Sequence, residues 1–353
     1  MYRHALVIGK FYPPHAGHHH LVRSAAAVAD RVTVVVMASA AESIPLADRV
    51  SWMRQSHTAD PSVTVTGIAC DAPMDLGSET VWAAQVAAMR AAVRGVTRVP
   101  VDAVVSSEKY GEELAHRFSA VHVCVDPGRV AHPVSGTACR ADLAGHWEAL
   151  DAPARAGLTT RIVVVGAEST GTTTVSRALA RHYRSAWNRT QWVPEYGRQA
   201  THDKLDALRR RHPDASMDDL TWTGTDFARI AAEQTRLEDA AARTGSPVLV
   251  CDTDAFATTV WERRYLGTSV HAVAPDRRAL YLLTDHVGVP FVQDGIRDGE
   301  HVRADMTGWF EDALTAAGRS WVLLTGGLAD RVDLAVRVTD QALRLNVTFA
   351  DPL

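Results

Sequence analysis

Two stretches of the chain share one pattern: a short apolar run, a loop containing glycine, and an alanine-rich segment with helical spacing. The first has a strand from Ala5 to Gly9 and a helix predicted through Leu21 to about Ala29. The second has a strand from Arg161 to Gly166 and a helix predicted from about Thr172 to His182. The runs VTVVVM, DAVVSS, VLVCD and ALYLLT are typical of buried parallel strands, because both of their faces are apolar. The pattern predicts an α/β fold with two doubly wound parallel-sheet domains.

The boundary between these domains is expected in the segment EALDAPARAGLTT, from Glu148 to Thr160. This segment contains Pro153 and Gly157, and its composition is typical of a linker. We therefore predict a first domain over residues 1–150, a linker over residues 151–158 and a second domain over residues 159–353.

Composition excludes several protein classes. The 353 residues are 46% hydrophobic and 22% charged, which disfavours a disordered chain, a coiled coil or a collagen-like repeat. The net charge of −4 lacks the basic excess of a nucleic-acid-binding protein. No apolar run approaches the roughly 18 residues of a membrane helix, no signal peptide is expected, and the four cysteines are scattered. These features favour a cytoplasmic protein that neither inserts into membranes nor binds nucleic acid.

The loop after the first strand, GKFYPPHAGH, carries the first candidate site. His15 and His18 are three residues apart, so both can face one side of a helix start. Gly17 lets a phosphate approach the backbone closely. Two imidazoles at a helix N-terminus suit a transition state with charge spread over phosphate oxygens. The candidate ATP-contacting positions of this loop are Gly9, Lys10, Phe11 and Gly17.

A second segment, PVSGTACR from Pro133 to Arg140, adds two hydroxyls and an arginine. At a helix start, Ser135, Thr137 and Arg140 could clamp a triphosphate. The alternative is a helix N-cap followed by a surface arginine.

With these motifs the first half resembles the HxGH nucleotidyltransferase superfamily, whose second signature is (S/T)xTxxR. The segment SSEKYG, from Ser106 to Gly111, further resembles the nicotinamide mononucleotide (NMN) adenylyltransferases of bifunctional NadR-type proteins. The resemblance implies that NMN and ATP yield NAD and pyrophosphate, with Mg²⁺ offsetting charge. It implies roles at the transferring phosphates for His15 and His18, at the leaving pyrophosphate for Arg140, Ser135 and Thr137, at phosphate for Lys10, and at the substrate for Ser107 and Tyr110.

The second half carries a P-loop pattern in which one residue differs from the template GxxxxGK[ST]. The loop follows a strand and opens a helix, but Thr172 occupies the lysine position. In such loops the next hydroxyl, here Thr173, binds Mg²⁺. Losing one preorganised donor typically costs about 10² to 10³ in rate. Only three of the 37 cationic residues are lysines, so an arginine must compensate, and Arg177 and Arg297 are both candidates. The predicted ATP-binding positions are Gly166, Glu168, Ser169, Thr170, Gly171, Thr172, Thr173 and Thr174.

Three further segments resemble the ribosylnicotinamide kinase domain of NadR-type proteins: VPEYGR from Val193, CDTD from Cys251 and VQDGIR from Val292. The resemblance implies phosphorylation of nicotinamide riboside to NMN. Asp252 would bind Mg²⁺ or activate the riboside hydroxyl, and Arg297 would approach the transferring phosphate. The other implied substrate-binding residues are Glu195, Tyr196, Arg198, Asp254 and Asp294.

Three functions are therefore compared. The first is a bifunctional enzyme of NAD salvage whose small-molecule partners are ATP, NMN, nicotinamide riboside and NAD. The second is an active adenylyltransferase joined to a P-loop domain that binds nucleotide only as a sensor or scaffold. The third, a transcriptional regulator, is disfavoured because the first strand begins within five residues of Met1, which leaves no room for a helix-turn-helix. The sequence leaves open whether the nicotinate or the nicotinamide mononucleotide is preferred as substrate, and whether the protein forms a homo-oligomer.

Overall fold

The computed structural model describes residues 1–269 and 278–352. These residues form two units. The first comprises Met1–Gly157 together with residues 347–352, and the second comprises Leu158–Asn346. Among the described residues, no helix is both long and apolar enough to cross a membrane.

The first unit is built on a five-stranded parallel sheet in the order β3-β2-β1-β4-β5. Its strands are β1 Ala5–Gly9, β2 Val32–Ala38, β3 Val63–Ala69, β4 Ala103–Ser106 and β5 Val121–Cys124. Its helices are α1 Ala16–Val28, α2 Leu46–Ser56, α3 Glu79–Val96, α4 Gly111–Phe118, α5 Gly136–Ala141 and α6 Ala152–Leu158, the last ending at the unit boundary.

Central strand β2 shows why its sequence is apolar throughout. Val34 and Val36 pack in one core cluster, whereas Val35 packs in a second cluster, and all three are fully buried. The strand order reverses at β1, which lies between β2 and β4. In open parallel sheets such a reversal opens a crevice beyond the carboxyl ends of the strands, where ligands bind. The loop that follows β1 begins at this crevice.

The second unit has the same architecture, with strand order β10-β9-β6-β8-β7 and all described pairs parallel. Its strands are β6 Thr160–Gly166, β7 Gln191–Val193, β8 Val248–Asp252, β9 Ala279–Thr284 and β10 Trp321–Leu324. Its helices are α7 Thr172–Ala186, α8 Tyr196–Arg209, α9 Gly224–Thr244, α10 Ala257–Leu266, α11 Arg303–Ala316 and α12 Leu328–Asn346. The predicted fold class, two doubly wound parallel-sheet domains, is confirmed.

The domain boundaries differ from the predicted ones in two places. Residues 152–158 of the predicted linker form helix α6, and a Cβ at Gly157 would lie 2.3 Å from Cζ2 of Trp52. Gly157 therefore permits close packing in the first unit and does not mark a flexible joint. Residues 347–352, predicted in the second domain, belong to the first unit. There the Phe349 ring lies 6.0 Å from the Tyr12 ring, and the backbone N–H of Ala350 donates to Ser43 Oγ at 2.8 Å.

Candidate active sites

The corner between β1 and α1 brings the two predicted histidines together. His15 occupies the N-cap position of α1, and its ring stacks on that of His18 with a centroid distance of 3.7 Å and an interplanar angle of 29°. A Cβ at Gly17 would lie 3.2 Å from Cε1 of His15, so glycine leaves room for this ring. Helix α1 begins at Ala16, whereas the sequence placed its start after the loop that ends at His18. The polar run His18–His20 therefore belongs to the first turns of the helix.

Burial disfavours the protonated form of both imidazoles. Burial, together with the nearby His19, lowers the pKa of His15 to about 3. Burial and the adjacent His15 lower the pKa of His18 well below its ordinary value. Within the described part of the chain, Nδ1 of each ring is buried and lacks a hydrogen-bond partner. A phosphate entering the corner would offer acceptor oxygens to these rings, which is the interaction that nucleotidyl transfer needs.

The hydroxyl-arginine segment lies directly against this corner. Arg140 Nη1 donates to the carbonyl oxygen of Tyr12 at 2.8 Å, and Nη2 donates to Thr137 Oγ1 at 3.3 Å. Ser135 is the N-cap of α5, and its Oγ accepts from the backbone N–H of Ala138 at 3.1 Å. Ser135 therefore acts as a helix N-cap, which is the alternative to a phosphate clamp. Arg140, by contrast, contacts the histidine loop, as the clamp requires.

An ion-pair network missed by the motifs supports the same loop. Glu42 accepts from Lys10 Nζ at 2.8 Å and pairs with Arg49 Nη1 at 2.6 Å. Burial alone would raise the pKa of Glu42, but the hydrogen bonds from Lys10 and Arg49 hold it below its ordinary value. Arg49 is fully buried and lies 4.5 Å from the Tyr12 ring, which Arg140 approaches at 4.9 Å. No sequence motif identifies Arg49, because the histidine loop that it supports, through the carbonyl of Lys10 and the Tyr12 ring, is distant in sequence.

The SSEKYG segment follows β4, the neighbour of β1 on the other side of the strand reversal. Ser107 is half-buried, and burial together with Glu108 raises the pKa of Tyr110 to about 12. Trp82 of α3 lies in the core: it is 6% exposed, and its indole N–H donates to the carbonyl of Leu76.

In the second unit one cavity of about 420 Å³ collects most of the predicted kinase residues. The predicted residues that line it are Gly166, Glu168, Ser169, Thr172, Thr173, Glu195, Arg198, Asp252 and Arg297. Both candidate arginines, Arg177 and Arg297, line it as well. Thr170, Gly171, Thr174, Tyr196, Asp254 and Asp294 do not line it.

Thr173 of the P-loop and Asp252 at the end of β8 both line this cavity and are hydrogen-bonded to each other. Thr173 Oγ1 donates to Asp252 Oδ2 at 2.6 Å. Burial raises the pKa of Asp252, while hydrogen bonds from the Thr173 and Thr172 side chains oppose the rise. A hydroxyl beside a carboxylate offers the oxygen ligands that Mg²⁺ prefers. These residues therefore fit the predicted metal role.

Two predicted substrate contacts are corrected by the structure. Asp254 is buried and accepts from the Tyr281 hydroxyl at 2.6 Å and from the backbone N–H of Ala257 at 2.8 Å. Its role is to anchor the loop after β8, because its carboxylate is already satisfied. Asp294 pairs with Arg198 at 2.5 Å and with Arg297 at 3.3 Å, so it orients two cavity arginines and lies outside the cavity itself.

Glu195 is an acidic residue of the cavity lining whose pKa is shifted upwards. Burial, followed by the nearby Asp252 carboxylate, raises the pKa of Glu195 to about 7. The carboxyl therefore changes charge near neutral pH. A carboxylate in a cavity can accept hydrogen bonds from sugar hydroxyls and attract a cationic ring.

Sequence motifs missed the arginines that hold the P-loop. Arg303 Nη2 donates to the carbonyl of Ser169 at 3.1 Å, and Arg331 Nη1 donates to the carbonyl of Thr170 at 3.0 Å. Arg264 pairs with Glu168 at 3.2 Å. These arginines come from α10, α11 and α12, so no motif confined to the loop could have found them.

Part of the cavity lining is aromatic. It includes Trp222, Phe227, Trp261 and Tyr265, and the Trp222 ring lies 5.6 Å from the Phe227 ring and 5.7 Å from the Tyr265 ring. Such a lining suits a flat ring.

The fold and these sites define a protein with a nucleotidyltransferase-like unit and a P-loop unit. A cytidylyltransferase-like family model matches residues 6–142, and an AAA domain model matches residues 161–331. The trifunctional NAD biosynthesis/regulator protein NadR of Salmonella typhimurium is 23% identical over 311 residues, covering 83% of this chain and 71% of that protein. The Escherichia coli protein of the same name gives the same identity and coverage.

Solved structures show the same likeness in fold. A NadR protein in complex with NR has a TM-score of 0.64 at 18% identity and covers 96% of each chain. A NadR protein in complex with NAD and AMP-PNP has a TM-score of 0.62 at 18% identity, covering 99% of this chain and 97% of that one. The resemblance to NadR-type proteins that the sequence motifs predicted is thereby confirmed.

Proposed function

We propose that the chain is a bifunctional enzyme of NAD biosynthesis. The first unit transfers AMP from ATP to NMN, and the second phosphorylates nicotinamide riboside to NMN. The similarity to proteins named for NAD biosynthesis supports this assignment, as do neighbours of the same fold that bind NR, NAD and AMP-PNP. The observation that carries the first activity is the stacked His15–His18 pair, with Arg140 bonded to the Tyr12 carbonyl of the same loop.

In the first reaction a 5′-phosphate oxygen of NMN bonds to the α-phosphorus of ATP, and the bond from that phosphorus to the bridging oxygen breaks. Pyrophosphate leaves with the electron pair. The unpaired ring nitrogens of His15 and His18 meet oxygens of the reacting phosphates, while Arg140 and Thr137 hold the leaving pyrophosphate. No protein nucleophile is needed, so positioning and electrostatic stabilisation supply the rate.

In the second reaction the riboside 5′-oxygen bonds to the γ-phosphorus of ATP, and its proton passes to Asp252. The bond from that phosphorus to the β–γ bridging oxygen breaks, and ADP leaves with the electron pair. Thr173 and Asp252 would hold Mg²⁺, which neutralises phosphate charge when bound. Glu195 and Arg198, which line the same cavity, contact the riboside, and the aromatic residues of the lining receive the nicotinamide ring.

The first activity is tested by supplying purified protein with ATP, NMN and Mg²⁺ and measuring NAD. We expect His18→Ala to reduce NAD formation by at least about 10², with an unchanged circular dichroism spectrum. The matched control is His20→Ala on the same helix, whose ring contacts His132 and takes no part in the stacked pair. A fully active His18→Ala protein would refute the site.

Thr172 favours a second candidate function for the P-loop unit, nucleotide binding with weak turnover, because the motif lysine is absent. Formation of NMN from nicotinamide riboside and Mg·ATP separates the two. Negligible turnover that rises sharply in Thr172→Lys supports the sensor or scaffold. Ready turnover that the added lysine hardly changes shows that another group has taken the lysine's role.

A further inference from the structure

Three arginines line the P-loop cavity, and two of them are already paired. Arg198 and Arg297 both pair with Asp294, and Arg297 Nη1 also donates to the carbonyl of Val292 at 2.5 Å. Across residues 1–269 and 278–352, no carboxylate lies within ion-pairing distance of the third, Arg177. Its charge is thus available to a ligand.

The position of Arg177 on α7 directs it towards the P-loop. Arg177 follows Thr173 by one turn, about 5.4 Å along the axis, so the two share one face of the helix. Helical side chains lean towards the N-terminus, which brings the guanidinium back towards the loop. The guanidinium lies 4.7 Å from the Trp192 ring, a cation–π contact, and both residues line the cavity together with the P-loop.

The electrostatics agree with this placement. Arg177 and Asp252 line the same cavity, where the positive charge of Arg177 attracts the Asp252 carboxylate. Three other arginines near the P-loop already bind atoms of the loop itself. Arg303 and Arg331 donate to loop carbonyls, and Arg264 pairs with Glu168.

We propose that Arg177 replaces the missing P-loop lysine and binds the β- and γ-phosphates of ATP from the second turn of α7. The inference rests on the proposed kinase function of the second unit. A planar guanidinium can bind two phosphate oxygens at once, which compensates for its starting one turn further from the loop.

The kinetic test compares Arg177→Ala with Arg181→Ala. Arg181 is the matched control, since it lies one turn further along the same face of α7 and does not line the cavity. We expect Arg177→Ala to lower kcat for riboside phosphorylation by about 10² to 10³, while NAD formation from NMN stays unchanged. Arg181→Ala should match the wild type in both reactions. An Arg177→Ala protein with the wild-type kcat would overturn the proposal.

A rescue variant separates phosphate binding from a structural role. If Arg177 does the work of the lysine, Thr172→Lys should restore most of the rate lost in Arg177→Ala but change the wild-type rate little. The two substitutions are then strongly non-additive. Equal effects of Thr172→Lys in both backgrounds would overturn the proposal.

A binding measurement keeps the inference distinct from the proposed activity. Calorimetric titration of the full chain with Mg·AMP-PNP should show two sites. Arg140→Ala should weaken one, and Arg177→Ala should weaken the other by about 10- to 100-fold, as for a lost charge-assisted hydrogen bond. If the wild type binds Mg·AMP-PNP at two sites but makes no NMN, the kinase assignment fails. The Arg177 inference is then supported if Arg177→Ala weakens the second site and overturned if that site is unchanged.

Discussion

The hydroxyl of Thr173 donates a 2.6 Å hydrogen bond to Oδ2 of Asp252, linking the first turn of α7 to the end of β8. Strands β6 and β8 are neighbours in the sheet, with Val164 paired to Asp252, so the P-loop and this carboxylate emerge at the same edge. The parallel sheet therefore positions both oxygen groups before any ligand arrives. Thr172 lines the same cavity, so the substituted position contributes a hydroxyl there and no cation.

Replacing Thr173 with valine tests this pair, because valine keeps the shape and removes the hydroxyl. We expect phosphorylation of nicotinamide riboside to fall by about 10² to 10³, since both the metal-binding hydroxyl and the hydrogen bond to Asp252 are lost. Adenylyl transfer should not change. Ser185→Ala, at the exposed end of the same helix, is the control. An undiminished rate in Thr173→Val would show that this hydroxyl holds no metal.

Glu195 predicts a pH dependence for riboside binding. Because burial and the Asp252 charge raise its pKa to about 7, the carboxyl is protonated below that pH and ionised above it. Only the ionised form attracts the cationic riboside, so KM for nicotinamide riboside should fall as the pH rises through about 7. Steady-state kinetics from pH 6 to pH 8.5 measure this change.

Glu195→Gln should remove the inflection and leave a raised, pH-independent KM. Glu233→Gln is the matched control, because Glu233 pairs with Arg236 and does not line the cavity. Persistence of the inflection in Glu195→Gln would assign the titration to another group.

Gly17→Ala separates activity from stability in the first unit. Alanine favours a helix over glycine by about 1 kcal/mol, so α1 should not be weakened. The new methyl, however, would lie 3.2 Å from Cε1 of His15 and displace the ring from its stack on His18. We expect NAD formation to fall at least about tenfold without a loss of thermal stability.

The control for this change is Gly95→Ala in α3, where a Cβ meets no atom within 4 Å. It should leave NAD formation unchanged. If Gly17→Ala were as active as Gly95→Ala, the stacked geometry would not be required for the reaction.

His15 predicts acid sensitivity of the first unit. The unfolded chain takes up a proton at this imidazole below pH about 6.5, whereas the folded chain does so only near pH 3. The folded state therefore loses stability as the pH falls through this window, because the unfolded state binds more protons. In NMR spectra of ¹³C-labelled histidine, the signal that disappears in His15→Gln should not titrate between pH 8 and pH 5. A titration midpoint near 6.5 for that signal would contradict the buried, neutral ring.

The sequence predicted the features that local pattern controls. Strands such as β2 were visible because parallel strands buried on both faces are continuously apolar. The histidine corner was visible because a strand followed by HxGH places both rings on the first turn of one helix. The P-loop was visible for the same reason, through its spacing after β6.

What escaped prediction depends on contacts between distant segments. Arg331 holds the carbonyl of Thr170 from α12, and Arg49 reaches the backbone of Lys10 from α2. Asp254 resembled a substrate ligand, because its CDTD segment matched a motif and the buried hydroxyl of Tyr281 could not be placed. Residues 347–352 carry no motif, so their place beside Tyr12 became visible only in three dimensions.

The return of residues 347–352 to the first unit makes the second unit an insertion in the polypeptide: its two ends both continue into the first. A single protease cut near residue 157 would thus leave the last seven residues of the first unit attached to the fragment that contains the second unit. Deleting residues 347–353 would remove Phe349 from the Tyr12 ring and the carbonyl of Ala350 from its hydroxyl. A chain without residues 347–353 should lose more of its NAD formation than of its riboside phosphorylation. For the same reason an expression tag should be attached at Met1 and not at the C-terminus.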